Sequence, residues 1–336
     1  MKIALDAMGG DFAPREEVRG AIAACQDLGV EVILVGDPTP IEAELSACPM
    51  ARSLPLTVVA ASERIGMGEH PAAAVKKKRQ ASVVVANELV RNGQADGVVS
   101  AGNTGAAMAA SLLRLGRLPG IDRPAIAIPM PTATGVTVLL DAGANADCTA
   151  ENLLQFAFMG AIYAERVLGL SHPRVGLLNI GEEETKGNAL AQAAYPLLAS
   201  SGLNFIGNVE GRDLHRGAAD VVVCDGFVGN VVLKVSEGLA TVLFAQVKEA
   251  ATASFKGRLG GLLLRPSLYA LRKRLDYAEY GGAPLLGVNG VSIIAHGRSN
   301  ARAIRNAIGA AAKAAGEGIV EMIRQALSPS PGGENR

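Results

Sequence analysis

The sequence predicts an α/β fold, a mixed and mostly parallel sheet of about ten strands with helices on both faces. Three observations carry that prediction. Short apolar runs such as Ile3-Ala4-Leu5 and Val221-Val222-Val223 read as strands buried on both faces. Most of these runs alternate with stretches of helical spacing. One pair, Ala125–Met130 and Val136–Asp141, is joined by only Pro131-Thr132-Ala133-Thr134-Gly135, too short for a parallel crossover, so it forms an antiparallel hairpin.

In chain order, the expected strands are Lys2–Asp6, Glu31–Gly36, Leu56–Ala60, Asp96–Ser100, Ala125–Met130, Val136–Asp141, Arg174–Asn179, Asn204–Val209, Asp220–Asp225 and Gly290–Ala295. A first helix opens at Pro14, where proline suits the first turn, and ends before Gly29. Others fit Pro71–Arg91, Thr104–Leu115, Ala150–Leu168 with Thr149 as N-cap, and Asn188–Ser200. After Asp225 the spacing Val231, Val232, Val235, Leu239, Val242 is helical, and a final helix runs from Ser299 to about Leu327. No linker divides residues 1–327, read here as one domain, and Ser328–Arg336 reads as a disordered tail.

The composition narrows the function. Thirty-two basic and 32 acidic residues give zero formal charge, and aromatics make up 4%, so no nucleic-acid partner is expected. Cys25, Cys48, Cys148 and Cys224 are scattered without a CxxC, which suits a reducing cytosol and argues against a zinc site. The chain enters a strand at Lys2, so no signal peptide is expected, and no apolar run suggests a membrane span.

Nearly every strand ends in glycine with a small polar or acidic residue. Any one such turn is explained by local backbone needs, but a row of them along one edge points to a shared crevice. That crevice lacks a GxGxxG after a strand, a phosphate-binding GxxxxGKS/T loop, an HExxH and a GxSxG elbow. What remains favours an anion. Helix starts at Asn103-Thr104 and Ser299-Asn300 present N–H groups, and Lys186, Arg212, Lys234 and Arg298 each lie within about a turn of a polar strand end. A solvated surface charge is the alternative for each. His296 ends a buried strand and is either an acid/base group or a packed histidine; Asp225 and Asp141 are either carboxyls of shifted pKa or simple caps.

The ordered set LDAMGGDFAP, SAGNTGA, LDAGAN, NIGEEETKG, NFIGNVEGRDL, CDGFVGNVVLK, EYGGAPLLGVNG and IIAHGRSNARAI resembles the bacterial PlsX family, the acyl-(acyl carrier protein):phosphate acyltransferases. The resemblance runs from residue 3 to about residue 310. It implies a three-layer α/β/α fold like that of isocitrate and isopropylmalate dehydrogenases, shared with phosphotransacetylase, and a cytoplasmic homodimer without a cofactor. The implied reaction moves a long acyl chain from acyl carrier protein to inorganic phosphate. The product then feeds a membrane glycerol-3-phosphate acyltransferase. The chain departs from the family pattern at Gly68, where relatives usually carry Asp, and in Lys76–Ser82.

Phosphate is itself an anionic nucleophile, so the reaction needs no Ser or Cys nucleophile and no metal. On this resemblance Asn103, Thr104 and Lys234 are expected near phosphate, Asn145 and Asn230 as polar donors, and Asp225 or His296 beside the leaving thiol. A short-chain acyl-CoA reaction of phosphotransacetylase type is the alternative, and a nicotinamide-dependent dehydrogenase a more distant one.

Residues 250–275 form a second feature. They carry Lys256, Arg258, Arg265, Arg272, Lys273 and Arg274, with leucines crowded near Gly260-Gly261 and Pro266. The segment reads as a helical hairpin, within about residues 240–280, whose tip of Leu259, Leu262, Leu263 and Leu264 is expected to touch an anionic membrane surface. A dimer-packing stripe or a carrier-protein contact is the other reading of the same residues.

Overall fold

A computed structural model describes residues 1–275 and 281–327. The elements run β1 (Lys2–Asp6), α1 (Arg15–Leu28), β2 (Glu31–Gly36), α2 (Pro38–Ser46), β3 (Leu56–Ala60), α3 (Pro71–Lys77), α4 (Ser82–Arg91), β4 (Gly97–Ser100) and α5 (Thr104–Arg114). There follow β5 (Ala125–Ile126), β6 (Ile128–Pro131), β7 (Val136–Leu140), α6 (Ala150–Arg166), β8 (Val175–Asn179), α7 (Ala189–Ala199), β9 (Phe205–Glu210), α8 (Gly211–Leu214) and β10 (Val221–Val223). Last come α9 (Gly226–Thr252), α10 (Phe255–Leu275), β11 (Ala283–Leu286), β12 (Val291–Ile294), α11 (Ala301–Gly316) and α12 (Ile319–Leu327).

The α/β class holds, but the strands form two sheets rather than one, and among the described residues there are twelve. The first sheet has the order β3-β2-β1-β4-β12-β11-β5, the second β6-β7-β10-β8-β9. The stretch expected as one strand over Ala125–Met130 is the hinge between them. Its first part pairs with β11, its second with β7, and the change of partner falls at buried Ala127. β11 itself was hidden in the glycine-rich loop EYGGAPLLG, because Pro284 and the flanking glycines mask a strand signal.

Strand direction decides where the rims go. β5 runs parallel to β12 and β4, because two antiparallel steps separate it from them. β6 continues past the carboxyl rim of the first sheet, and β7 returns antiparallel beside it, with β10, β8 and β9 parallel to β7. The carboxyl ends of both sets of parallel strands therefore face each other across the hinge.

Other departures are local. The helix expected over Pro71–Arg91 breaks at Lys78–Ala81, where Gln80 N–H bonds the Glu63 carboxylate (3.1 Å) and Ala81 bridges Glu63. α2 follows Asp37, whose carboxylate accepts from Thr39 N–H (3.0 Å) ahead of two prolines, a start the apolar pattern missed. The final helix is divided at Gly318, whose φ of 63° suits glycine. Thr149 caps α6 as expected, in a reciprocal box with Asn152.

The hairpin exists, but its bend is not at Gly260-Gly261. α9 stops at Thr252, and Ser254 Oγ accepts from Gly257 N–H (3.0 Å), so α10 starts there and continues through both glycines and Pro266. Leu259, Leu262, Leu263 and Leu264 lie along α10, all exposed. The expected tail, residues 328–336, lies outside the described residues, as do residues 276–280 of the expected hairpin. α9 is long and apolar enough to span a membrane by length and composition alone, with a mean hydropathy of 1.5 that no single uninterrupted apolar run announces.

Candidate active site

The rim of the first sheet is built from three turns drawn tightly together. A Cβ on Gly9 would lie 2.9 Å from Gly102 N, so the β1 and β4 turns approach at a distance only glycine permits. Asp11 N–H donates to Gly297 O (2.8 Å), tying in the β12 turn. Asn103 caps α5 through Ala106 N–H (3.0 Å), and its amide donates to Met67 O (3.0 Å). Its side chain therefore clamps the 62–70 loop onto the rim, leaving the exposed Thr104 hydroxyl and the helix N–H groups to face solvent. Gly68 in that loop has open space where a side chain would stand.

His296 and Arg298 share this rim, because β12 pairs with β4. Arg298 N–H donates to His296 Nδ1 (3.1 Å), so in this arrangement the neutral ring carries its proton on Nε2. Beneath the rim lie two buried carboxyls that sequence reasoning left out. Asp6 is 2% exposed and accepts from Ser100 Oγ (2.7 Å); burial raises its pKa against that bond. Glu17 is 1% exposed, its Oε2 has no hydrogen-bond partner, and burial pushes its pKa up to about 7. Charged residues in a helix's first turn are ordinarily solvated, so only the overlying Gly10 turn makes Glu17 unusual.

The opposite rim is organised by Asp141. Its buried carboxylate accepts from the N–H groups of Ile126 (3.0 Å), Gly143 (3.2 Å), Ala144 (3.0 Å) and Asn145 (2.7 Å) and from Asn145 Nδ2 (2.9 Å). Burial pushes its pKa upward, and these donors offset part of that rise. Ile126 belongs to the first sheet, so this one carboxylate ties the two sheets at their hinge. The first turn of α9 closes on it: Gly226 N–H donates to Asn145 O (2.7 Å), and a Cβ on Gly229 would stand 1.9 Å from Asp141 O. Glycines three apart in a helix's first turn were the sequence signal for this close approach.

The expected donors divide accordingly. Asn145 is spent on Asp141 and on Pro124 O (2.8 Å), a holding role. Asn230 is exposed beside Gly143, its amide nitrogen 3.4 Å from Ala142 O. Asp225 caps α9 through Val228 N–H (2.9 Å). Ala142 and Ala144 pack in one apolar cluster with Ala106 and Ala107 of α5, which brings the Asn103-Thr104 turn alongside the Asp141–Asn145 turn. Asn103, Thr104, His296 and Arg298 thus line one wall, and Asn145, Asp225 and Asn230 the other.

The remaining cations stand apart. Lys234 lies one turn beyond Asn230 and pairs with Glu237 (2.8 Å). Arg212 pairs with Glu210 (3.0 Å) at the end of β9, the edge strand two places from β10. Lys186 is exposed in the β8–α7 loop. Long polar side chains leave few sequence clues to such pairing.

The cysteines near the cleft are not poised to attack. Burial and the neighbouring Asp225 and Asp141 hold the Cys224 thiol well above its usual pKa, and burial pushes Cys148 up to about 11. Both stay protonated at neutral pH. The arrangement can hold an anion at a helix start on one wall and orient a second reactant against the other, with no activated nucleophile of its own.

Known proteins share this plan. A phosphotransacetylase from Streptococcus pyogenes superposes with a TM-score of 0.65 at 18% identity, covering 94% of each chain. The EutD phosphotransacetylase from Staphylococcus aureus gives 0.62 at 17%, again over 94% of each chain. At those identities the likeness concerns the fold. Closer relatives are a phosphate acyltransferase from Heliobacterium modesticaldum, 57% identical over 325 residues and 97% of each chain, and one from Desulforamulus reducens, 55% identical over 334 residues and 99% of each. The family model described as fatty acid synthesis protein matches residues 1–322. The chain belongs to that family, the PlsX phosphate acyltransferases.

Proposed function

We propose that the protein is an acyltransferase that moves a long acyl chain from acyl carrier protein to inorganic phosphate, giving acyl phosphate and free carrier thiol for phospholipid synthesis. The observation that carries this is the near full-length identity to phosphate acyltransferases. The two facing rims give the reaction a place. Phosphate sits at the start of α5 against Thr104, with Arg298 beside it; Lys186 and Lys234 stand farther off, Lys234 paired with Glu237, and act on it at most through long-range charge. A phosphate oxygen attacks the thioester carbonyl carbon, and Asn230 donates to the oxygen on which charge develops. The C–S bond breaks, His296 Nε2–H donates a hydrogen bond to the departing thiolate, and the proton of hydrogen phosphate passes to that sulfur to give the free thiol. Asn103, Asn145 and Asp225 hold the turns in place, and Arg212, at the sheet's far edge, has no part in the step.

Incubation with palmitoyl-(acyl carrier protein) and phosphate, with hydroxylamine trapping of acyl phosphate, tests the reaction. A stable acyl-enzyme, or no free thiol, defeats it. His296→Gln should lower kcat about 100-fold while moving the KM for phosphate less than threefold, as expected for a group acting on the departing thiolate. Equal loss in KM would reassign His296 to binding. A short-chain acyl-CoA reaction is the alternative, and comparing carrier-protein with CoA thioesters separates the two.

The finer setting is a cytoplasmic homodimer at the inner membrane face, handing its product to a membrane glycerol-3-phosphate acyltransferase. The hairpin supports it: Val231, Val235, Leu239 and Val242 leave an exposed stripe on α9, and Leu262, Leu263 and Leu264 another on α10. A second copy covers the first stripe, and an anionic bilayer meets the second beside Lys256, Arg258 and Arg265. Changing Leu262 and Leu263 to Glu should abolish flotation with phosphatidylglycerol liposomes yet spare turnover in solution. Unchanged flotation would remove the membrane contact.

A further inference from the structure

Between the second sheet and its helices lies a cavity of about 250 Å³. Leu177 and Leu178 of β8, Leu153 of α6, Leu190 and Ala191 of α7 and Val228 of α9 give it an aliphatic lining. Three polar side chains also border it, and each has an oxygen taken up by a nearby backbone N–H. Asn179 accepts from Ile180 N–H (2.8 Å) and donates to Lys186 O (3.1 Å), Asn188 accepts from Ala191 N–H (2.9 Å), and Asp225 accepts from Val228 N–H (2.9 Å). No cationic residue lines the space. A phosphate or nucleotide would find a carboxylate and no cation there, whereas a hydrocarbon is suited by the aliphatic lining.

Position argues the same way. Cys224 and Asp225 line the cavity, and Cys224 Sγ lies 3.7 Å from Asp141 O on the cleft side. The first turn of α9 is thus a shared wall: Val228 faces the cavity, while Gly226 and Gly229 press on the Asp141–Asn145 turn. Ile180, 83% exposed, stands at the border as an apolar side chain with no core of its own.

We propose that this cavity holds the carboxyl-proximal part of the substrate's acyl chain, with the thioester at the Asp225 end. The assignment rests on the acyl-transfer reading above. An apolar cavity of about 150 Å³ accommodates benzene, so about 250 Å³ accommodates roughly ten carbons. Chain-length selection is therefore confined to those carbons, and longer chains extend beyond the cavity.

The test uses the full chain with acyl carrier protein thioesters of four, six, eight, ten, twelve and sixteen carbons. In the unaltered protein kcat/KM should climb steeply, by up to about fourfold per methylene, to roughly ten carbons and then level off. Two variants on different helices fill the space, Ala191→Leu and Val228→Phe, each checked for folding by its thermal transition. Either should cut the ten-to-four-carbon ratio of kcat/KM at least tenfold and move the plateau to shorter chains. If both chains are transferred and neither folded variant shifts the ratio, the cavity is not the acyl site. A flat profile from four to ten carbons in the unaltered protein overturns it too. If the unaltered protein transfers no chain to phosphate, the reaction itself has been misassigned.

Discussion

Replacing Asp141 with alanine should destabilise the protein by about 4 kcal/mol and abolish measurable acyl transfer. The carboxylate is buried and gathers five hydrogen bonds, four of them from backbone N–H groups that have no other partner close at hand. Removing the acceptor strands the buried Ile126 N–H, at roughly 1–3 kcal/mol, and leaves the part-buried N–H groups of Gly143, Ala144 and Asn145 to water at a smaller cost each, which together come to the figure given. The functional loss is expected to outrun the loss of stability, because one carboxylate joins Ile126 of the first sheet to the Gly143–Asn145 turn of the second. Without it the two rims lose their register, and a displacement of about 1 Å already costs on the order of 100-fold in rate. Asp141→Asn should fall between the two, since one oxygen remains while an NH2 group faces donors. Urea unfolding monitored by circular dichroism, alongside the hydroxylamine assay, measures both effects. A midpoint unchanged in the alanine variant would mean the hinge is held by something other than this group.

The second large effect concerns Glu17. Burial pushes its folded pKa up to about 7, above the ordinary glutamate value of 4.5, so the folded state binds the proton more tightly than the unfolded chain does. Stability from this group is therefore full below about pH 4.5 and is lost as pH rises through about 7. The difference amounts to about 3 kcal/mol. Glu17→Gln keeps an acceptor oxygen beneath the Gly10 turn and removes the ionisation. The variant should match the parent near pH 4 and exceed it by about 3 kcal/mol at pH 8. Parallel denaturation curves at both pH values decide the matter; equal pH slopes for the two proteins would show that Glu17 does not carry this dependence. Asp6, also held up by burial, stays in both proteins and adds to the rise at Glu17 through charge repulsion, so the difference between the two curves includes that coupling.

Much of the fold was legible because its strands are buried on both faces. β1 and β2, buried along nearly their whole length, fall at the bounds expected from their apolar runs, as does the partly exposed edge strand β3, and the short Pro131–Gly135 connection forced the hairpin that becomes the hinge. Ala125–Met130 shows where that legibility stops. Its residues announce a strand, but nothing local says that the strand leaves one sheet at Ala127 and joins another. β11 was unreadable for a related reason: Pro284 and two glycines look like a loop until β12 and β5 supply partners on either side.

The candidate site divides in the same manner. Polar and glycine-bearing strand ends pointed to the turns proposed as the walls, since a βα turn has few chemical ways to be built. They did not separate side chains that face the cleft from those consumed in building it. Asn103 and Asn145 are spent on caps and clamps, while Thr104 and Asn230 are exposed.

By itself the sequence determined the α/β class, the order of most strands and helices, the family, and the positions of the glycine-bearing rim turns. Each follows from local patterns of burial and turn chemistry, which act over a few residues. Only the tertiary structure decided that there are two sheets, that their carboxyl rims oppose each other, and that Asp141 and Glu17 are buried where they are. Those outcomes depend on strand direction and on contacts between residues far apart in the chain, such as Ile126 with Asp141 and Gly229 with Asp141 O. Such contacts leave no periodicity behind, because the free energy that fixes them comes from burial shared among elements and not from any one of them.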